Sequence, residues 1–333
     1  MNTMPSSILQ SALWAEFQHG LGKKVHEESG DGWTFLAVLE STVLGRYLYC
    51  PHGPVAQDVA GFQQAVAALS RRAKAEGAHF VRLEPGHGGV ETSHRMLTAA
   101  GLRKAPTDIQ PQRTWMLDLT QDEKSLLAGM RPTSRNLHRN IHKKGVTIDT
   151  SSDPDDISIL LGFLHEVSDR AGFRPQSDTY LELAAKTLMP SGAAKLFIAR
   201  LDGQPIAAAL SYETGTTRAY AHAAANDEHR RLNAAIPLLV TMILDAKKSG
   251  LTHFDMWGVS PEDEPEHPWA GFSRFKRSFG GFEVAYPGSW DLPVRHGMYR
   301  AYVLARLARG ALRATASAAR TAGSRARRYA RRA

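Results

Sequence analysis

The sequence predicts an α/β protein, more strictly α+β, built from two similar tandem domains whose mixed, mostly antiparallel sheets are flanked by helices, with a basic helical tail. Three observations carry this. The 333 residues exceed one ordinary domain, and a 43% hydrophobic composition is enough for two cores. Ala73-Lys-Ala-Glu-Gly77, before a strand ending in Val81-Arg-Leu-Glu84, recurs half a chain later as Ala246-Lys-Lys-Ser-Gly250 before Phe254-Asp-Met-Trp257. A repeat of so long a period means duplicated domains, not a solenoid. Finally, Arg306, Arg309, Arg313, Arg320, Arg325, Arg327, Arg328, Arg331 and Arg332 share a C-terminal segment without Asp or Glu.

Taken in order, residues 7–19 have a helical pattern, and Trp33 to Leu39 and Val43 to Cys50 alternate as two strands joined at Glu40-Ser41-Thr42. A Pro51-His-Gly-Pro54 turn follows. Asp58 is the predicted N-cap of a helix that buries Phe62, Val66 and Leu69 and stops at Gly77. His79 to Leu83 is a strand, Gly89 to Ala100 a helix ended by Gly101, and Arg113 to Leu119 a strand. Thr120-Gln-Asp-Glu123 has capping-box spacing, so a helix starts there, breaks at Pro132 and restarts after Thr133. Asp153-Pro154 opens a helix with Ile157, Leu160, Leu161, Leu164 and Val167 on its buried stripe, and a further helix covers Asp178 to Leu188. Lys195 to Leu201 and Pro205 to Tyr212 form a hairpin about Asp202-Gly203, a type I′ sequence, with Thr216 to His222 as the third strand. Asn233 is read as the cap of a helix carrying Ile236, Leu239, Ile243 and Leu244 and ending at Gly250, after which His253 to Trp257 is a strand.

A lone cysteine, Cys50, excludes an intrachain disulfide and suits a reducing compartment. No signal stretch opens the chain, and its longest apolar run, around Ala234 to Leu244, is too short to span a bilayer, so the expected location is cytoplasmic. The charge of +8 resides in the Arg-rich tail. Such a tail is either a solvated segment or a contact for an anionic partner, nucleic acid or an acidic membrane surface at the inner face of the plasma membrane. Arg306, Arg309, Arg313, Arg320 and Arg327 fall on one helical stripe, with few large apolar residues after Leu312 to insert into lipid.

Two stretches concentrate candidate chemistry. In Trp269-Ala-Gly-Phe-Ser-Arg-Phe-Lys-Arg-Ser-Phe-Gly-Gly-Phe282, Phe272, Phe275 and Phe279 recur at helical spacing and are expected to anchor one face while Arg274 and Lys276 point elsewhere. Gly280 and Gly281 allow positive φ or close backbone approach. From Arg131 to Lys144 there are five Lys or Arg, two His and no acid; Arg135, His138, Arg139 and His142 share a helical face, which is either solvated or a phosphate contact. No histidine pair has convincing zinc spacing, and no P-loop, dinucleotide fingerprint or Gly-x-Ser-x-Gly elbow is present, so the sequence requires no metal and no cofactor.

The repeated unit resembles the acetyltransferase-like (GNAT) fold, and the pieces in order resemble the Fem family of peptidoglycan aminoacyltransferases. They are Tyr49-Cys-Pro-His-Gly-Pro-Val55, Ile109-Gln-Pro-Gln-Arg-Thr114 leading into Leu117-Asp-Leu119, Arg135 to Gly145 with the next strand, Asp255-Met-Trp-Gly258, and Phe275-Lys-Arg-Ser-Phe-Gly-Gly281. The resemblance covers residues 8 to 295. It implies a first domain of residues 1–143 completed by 288–309, a second of 144–287, and a tail of 310–333. It also implies transfer of an amino acid from aminoacyl-tRNA to an amine of a lipid-linked or nucleotide-linked muropeptide.

Residue by residue, the resemblance sets Lys276 at the tRNA acceptor end or the developing oxyanion, and Asp108 near the acceptor, where it accepts a proton, orients the amine, or is only a turn residue. It sets Arg170, Arg174 and Tyr180 against precursor phosphates, with Tyr220 and Lys24 (or Lys23) as further substrate contacts. Arg135, Arg139, Lys143, Lys144 and Lys276 become the tRNA-binding set. The chain departs from some members in lacking a long charged heptad insertion, so no coiled-coil arm is expected. Two alternatives stay open. An acyl-CoA N-acyltransferase of this fold needs a glycine-rich pyrophosphate loop, and Arg230-Arg-Leu-Asn-Ala-Ala235 has Asn233 where glycine is wanted. A non-enzymatic tRNA or membrane adaptor would use the tail alone.

Overall fold

The computed structural model of the chain describes residues 7–171 and 174–309. Its elements run α1 (Ala12–Gly20), β1 (Lys24–Gly30), β2 (Trp33–Thr42), β3 (Gly45–Cys50), β4 (Val55–Ala56), α2 (Val59–Ala75), β5 (Phe80–Leu83), α3 (His94–Ala99), β6 (Arg103–Lys104) and β7 (Arg113–Asp118). They continue α4 (Glu123–Gly129), α5 (Pro132–Asn140), β8 (Val146–Ser151), α6 (Ile157–Ala171), α7 (Asp178–Leu188), β9 (Ala194–Leu201), β10 (Gln204–Thr214), β11 (Thr217–Ala225), α8 (Ala235–Lys248), β12 (His253–Gly258), α9 (Ala270–Arg277), β13 (Phe282–Ala285) and β14 (Trp290–Pro293). A last helix, α10, covers 296–309.

Two sheets form. The first has the order β1-β2-β3-β5-β14-β6 with β4 against β2, and the second β13-β7-β12-β11-β10-β9-β8. Each is antiparallel except for one short parallel pair: β3 with β5 over Leu48–Cys50 and Val81–Leu83, and β11 with β12 over Thr217–Ala219 and His253–Asp255. The first pair ends where β3 and β5 themselves end, whereas β11 and β12 both run on unpaired to each other beyond Ala219 and Asp255. The repeat read in the sequence is therefore a repeat of this helix-then-parallel-strand unit, α2–β5 and α8–β12.

The first sheet buries Phe35, Ala37 and Val81 against α2 and α3. The opposite face of β2, through Leu36 and Val38, shares a core with α1, α6, α7, β9 and β10, which joins the two halves. The second sheet's other face packs on α8, α4 and α5 through Phe197, Ala207, Leu239, Ile243 and Leu126.

Local chemistry explains the boundaries, with corrections. Asp58 caps α2 as predicted, accepting from the Gly61 N–H at 2.7 Å. Asp202 and Gly203 both have positive φ, as a type I′ hairpin turn demands. The capping role given to Thr120 belongs to Asp122, which accepts from the Ser125 N–H, because Thr120 is held by Asp118. Pro132 starts α5 at its first position, where no N–H is needed. Asn233 does not cap α8; it adopts the left-handed conformation one residue before Ala234, and the helix has no side-chain cap. The helix expected from Gly89 shrinks to α3, and β1, β6, β13 and β14 were not foreseen.

The strands also move the division of the chain. β7 joins the second sheet, and Leu126, Met130 and Ile141 sit in the second core, so the two sheets part between β6 and β7 and not at 143/144. β14 returns to the first sheet between β5 and β6.

Candidate active site

The site lies where β11 and β12 part. Met256 and Trp257 together stand opposite Trp115, because the β12–β7 register shifts between Asp255 and Gly258. That bulge gives Trp257 a φ of 64°, a conformation that costs a bulky side chain energy and is maintained by its surroundings. Here the Asp255 carboxylate accepts from the Trp257 N–H at 2.7 Å and also from the Thr114 hydroxyl.

On one side of the Trp257–Gly258 backbone is a wedge of about 210 Å³ lined by Pro111, Tyr220, Ala221, Trp269, Phe272 and Lys276. Lys276, on α9, is only 4% exposed. Its ammonium donates to the Gly258 carbonyl at 2.7 Å and lies 5.1 Å from the Phe272 ring centroid. Burial lowers its pKa to about 8, with Asp255 pulling the other way. Asp255 is itself raised by burial, a shift resisted by its bonds to Thr114 and Trp257 and by Lys276.

On the other side, residues from both sheets meet. The rings of His52, His87 and Tyr286 stack, with centroids 3.4 and 3.6 Å apart in succession. His52 and His87 follow the ends of β3 and β5, so the end of the first sheet's parallel pair lies beside the parting of β11 and β12. Burial drives His52 down to about 3 and His87 well below its ordinary value, leaving both rings neutral. These rings, with Asp255 and Trp257, line two small cavities; the one lying against Pro111 and Gly258 shares those residues and Trp257 with the Lys276 wedge.

Gly258 and the glycine pair fix this architecture. A Cβ on Gly258 would fall 2.5 Å from Pro111 Cγ, so only glycine lets the proline close the wedge. Gly280 and Gly281 have φ of 76° and 95°, and a Cβ on Gly281 would meet the Met116 carbonyl oxygen at 2.4 Å. Their positive φ and their close approach seat the end of α9 on β7. The phenylalanines behave otherwise than predicted: Phe279 is buried, Phe275 half-buried and Phe272 59% exposed at the wedge mouth beside Trp269, while Lys276 points inward. Three aromatic positions at helical spacing could not reveal that the wedge interrupts the packed face.

The remaining sequence-predicted residues scatter. Tyr220 lines the wedge with Lys276. Asp108 lines no cavity with it; both its oxygens are engaged, one by Lys104 and the Ser289 N–H at 2.6 Å each and the other by Gln112. Lys24 is paired with Glu76 on the outer strand β1, and Lys23 with Glu40. Tyr180 packs edge-on to Phe17 in the shared core, where burial pushes its hydroxyl up to about 12. Arg170 pairs with Asp227 at a separate cavity of about 460 Å³ before α8, and Arg174 is exposed.

Arg139, Lys143 and Lys144 are exposed, Arg135 is half-buried and reaches the Ala128 carbonyl, and His138 is half-buried, so the predicted basic face is narrower than four residues. Residues 310–333, most of the predicted stripe, lie outside the described residues; Arg306 bonds Thr107. Asp255, Trp257, His52, His87 and Tyr286 carried no assigned role in the sequence, although Asp255-Met-Trp-Gly258 and the segment holding His52 were among the family-like pieces.

Comparison with known proteins bears on the fold. The FemAB family model matches residues 192–306, which bears out the resemblance read in the sequence. FemX superposes with a TM-score of 0.79 at 18% identity, over 89% of this chain and 95% of its own. A domain from Agrobacterium fabrum described as the C-terminal part of a lysylphosphatidylglycerol synthetase gives 0.60 at 16% identity, over 90% and 92%. A tandem GNAT protein from the clavulanic acid biosynthesis pathway gives 0.51 at 13%, over 87% and 90%. The fold is accordingly a twin acetyltransferase-like one. No curated protein matches the chain by sequence. Among the described residues no helix is long and apolar enough to cross a membrane.

Proposed function

We propose that the chain is an aminoacyltransferase that moves an amino acid from aminoacyl-tRNA to an amine of a peptidoglycan precursor, at the Lys276 wedge. The observation that carries it is the buried Lys276 ammonium at the splayed end of a parallel strand pair, flanked by the exposed aromatics Trp269 and Phe272. A cation held in a nearly dry site acts strongly on developing negative charge, here the oxyanion of an ester under attack or the phosphate next to the terminal ribose. Exposed aromatic faces suit unpaired nucleobases. The exposed Arg139, Lys143 and Lys144, with the half-buried Arg135 beside them, supply phosphate contacts farther along the nucleic acid.

Ester aminolysis asks mainly for orientation, worth about 7 to 11 kcal/mol when reactants are well placed, plus removal of a proton from an amine of pKa about 10.4. The small cavities shared by both sheets reach the same Trp257–Gly258 backbone as the wedge, and the larger has room for a group about the size of an amine. Asp108 is left out of the chemistry, because its carboxylate is consumed in tying Lys104, Gln112 and Ser289 together. Arg170, Arg174, Tyr180 and Lys24 are likewise given no contact with the reacting groups.

The test incubates the full-length protein with mixed charged tRNAs and either a nucleotide-linked or a lipid-linked muropeptide, and weighs the products. A mass gain of one or more amino acids, dependent on charged tRNA, is expected. Transfer from acyl-CoA instead would establish the acyltransferase alternative, for which the left-handed Asn233 before α8 is the structural counterpart of the missing glycine. An aminoacylated lipid from phosphatidylglycerol vesicles would shift the acceptor from amine to hydroxyl. Salt-sensitive tRNA binding without any product would leave the adaptor reading.

A further inference from the structure

Asp255 closes the parallel pairing of β12 with β11, and its two oxygens have different surroundings. Oδ1 accepts from the Trp257 N–H and the Thr114 hydroxyl. Oδ2 has no such partner among the described residues, nor is it one of the enclosed, unpartnered atoms, so it opens on the cavities that the carboxylate lines. In the more enclosed of these, about 20 Å³, room exists for one water-sized guest. Two residues lining it, Tyr212 and Thr217, have hydroxyls that are buried without a partner. Buried polar atoms are normally satisfied, so two beside one hole mark a place suited to a polar occupant.

We propose that Asp255 is the proton acceptor of the transfer reaction, receiving the acceptor amine's proton on Oδ2 and delivering it to the departing ribose oxygen. This inference rests on the aminoacyltransferase reading above. The amine nitrogen bonds to the ester carbonyl carbon, giving a tetrahedral adduct with a protonated nitrogen and an oxyanion. Oδ2 takes the proton from nitrogen; the carbonyl re-forms as the carbon–ribose oxygen bond breaks; the ribose oxygen takes the proton from the Asp255 carboxyl. One C–O bond is exchanged for one C–N bond, and the carboxylate is restored.

The surroundings suit such a role. Burial raises the carboxyl's proton affinity, which brings an acid otherwise too strong toward the range where a base is effective. The groups facing it from neighbouring elements are Lys276 on α9, Tyr286 after β13, His52 and His87 after β3 and β5, and Tyr212 on β10. Both histidines are kept neutral, and Tyr286 and Tyr212 are pushed toward their protonated forms, so the charge that opposes Asp255's rise is Lys276.

Asp255→Asn retains an acceptor for Thr114 and Trp257 and is compared with the wild-type full-length chain on two acceptors, a lysine-type muropeptide amine and the weakly basic hydroxylamine. The expected result is a 10²- to 10⁴-fold loss of transfer to the lysine-type amine. With hydroxylamine, whose adduct sheds its proton readily, the loss is under tenfold, and KM for charged tRNA is unchanged. Equal losses with both acceptors, or less than threefold with either, overturn the proposal while the functional reading stands. A wild type that transfers to no amine removes both. Should the variant not fold, ¹³C NMR of the wild-type Asp255 carboxyl decides: titration above the ordinary carboxylate range, moving further up in Lys276→Met, supports the role. Titration in the ordinary range, unmoved by that variant, overturns it.

Discussion

Replacing Lys276 by Met separates a working residue from a packing one, because the structure predicts opposite effects on activity and stability. The ammonium is buried, and its pKa falls from 10.5 to about 8. One pKa unit corresponds to about 1.4 kcal/mol, so holding this charge inside at pH 7 costs the fold about 3 kcal/mol. Between about 8 and 10.5 the unfolded chain keeps a proton that the folded chain has lost, and stability rises with pH; below 8 both states are protonated and the cost is constant. Methionine removes that cost but leaves the Gly258 carbonyl without its donor, a loss of about 1 to 3 kcal/mol. The net expectation is a stability between unchanged and about 2 kcal/mol higher, while transfer falls about 10²- to 10³-fold, the usual consequence of removing an oxyanion donor. The ratio of the wild-type rate to that of the variant, in which the titration of the acceptor amine cancels, should also fall above pH 8 with the remaining ammonium, about tenfold from pH 7 to pH 9. Thermal melts and pH-dependent transfer assays measure both. Activity within threefold of wild type, or a clear drop in stability with proportionate loss of activity, would refute the assignment.

Gly258→Ala places a methyl 2.5 Å from Pro111 Cγ, so it should cost about 1 to 3 kcal/mol by overpacking and raise KM by narrowing the wedge; unchanged kinetics would show that Pro111 yields freely. Asp108→Asn should lower stability by about 1 to 3 kcal/mol through the lost Lys104 and Ser289 contacts, with transfer by the folded fraction within a few-fold of wild type; a 10²-fold loss at unchanged stability would restore its catalytic role. Arg139→Glu with Lys143→Glu should weaken tRNA binding and flatten the dependence of log affinity on log salt by about one for each cation removed, and an unaltered slope would show the face to be merely solvated.

How much of this could be read in the sequence depended on the range of the cause. Asp58, the Asp202-Gly203 turn and the two glycines after α9 act within a few residues, and their chemistry was legible. Sheet membership was not: β7 lies early in the chain yet pairs with β12 and β13, because strand alternation records that one face is buried without recording which partner buries it. The site suffered the same limit. Lys276 was found through its motif, but its inward direction depends on the opening between β11 and β12, and Asp255 was hidden because its neighbours Thr114, His52 and His87 come from distant segments. Asp108 shows the same limit, because a loop aspartate beside family-like residues reads the same whether its oxygens face a substrate or Ser289.

The two copies of the repeat treat their charged residues differently. Arg82 in the first copy stands where Asp255 stands in the second, and Glu84 where Trp257 stands. In the first sheet Arg82 is fully committed: it makes a two-pronged pair with Asp291 of β14, and the Tyr299 hydroxyl donates to the same carboxylate. Glu84 likewise accepts from Tyr49, Gln110 and Ser289. The returning strand β14 and the serine before it thus meet these charges from the far side of β5, and His52, His87 and Tyr286 stack together beyond the ends of β3 and β5. In the second copy β12 takes β7 as its other neighbour, as β5 takes β14, but β7 offers Asp255 the Thr114 hydroxyl and no countercharge, so one carboxylate oxygen stays open, and Lys276 carries its charge at a cost to the fold. The same division governs the size of mutational effects. Breaking the buried Arg82–Asp291 pair would strand a charge at a cost of about 3 to 5 kcal/mol, a purely structural loss. The second copy forgoes that pair, and the Asp255 oxygen left open there is the one to which we assign the proton transfer.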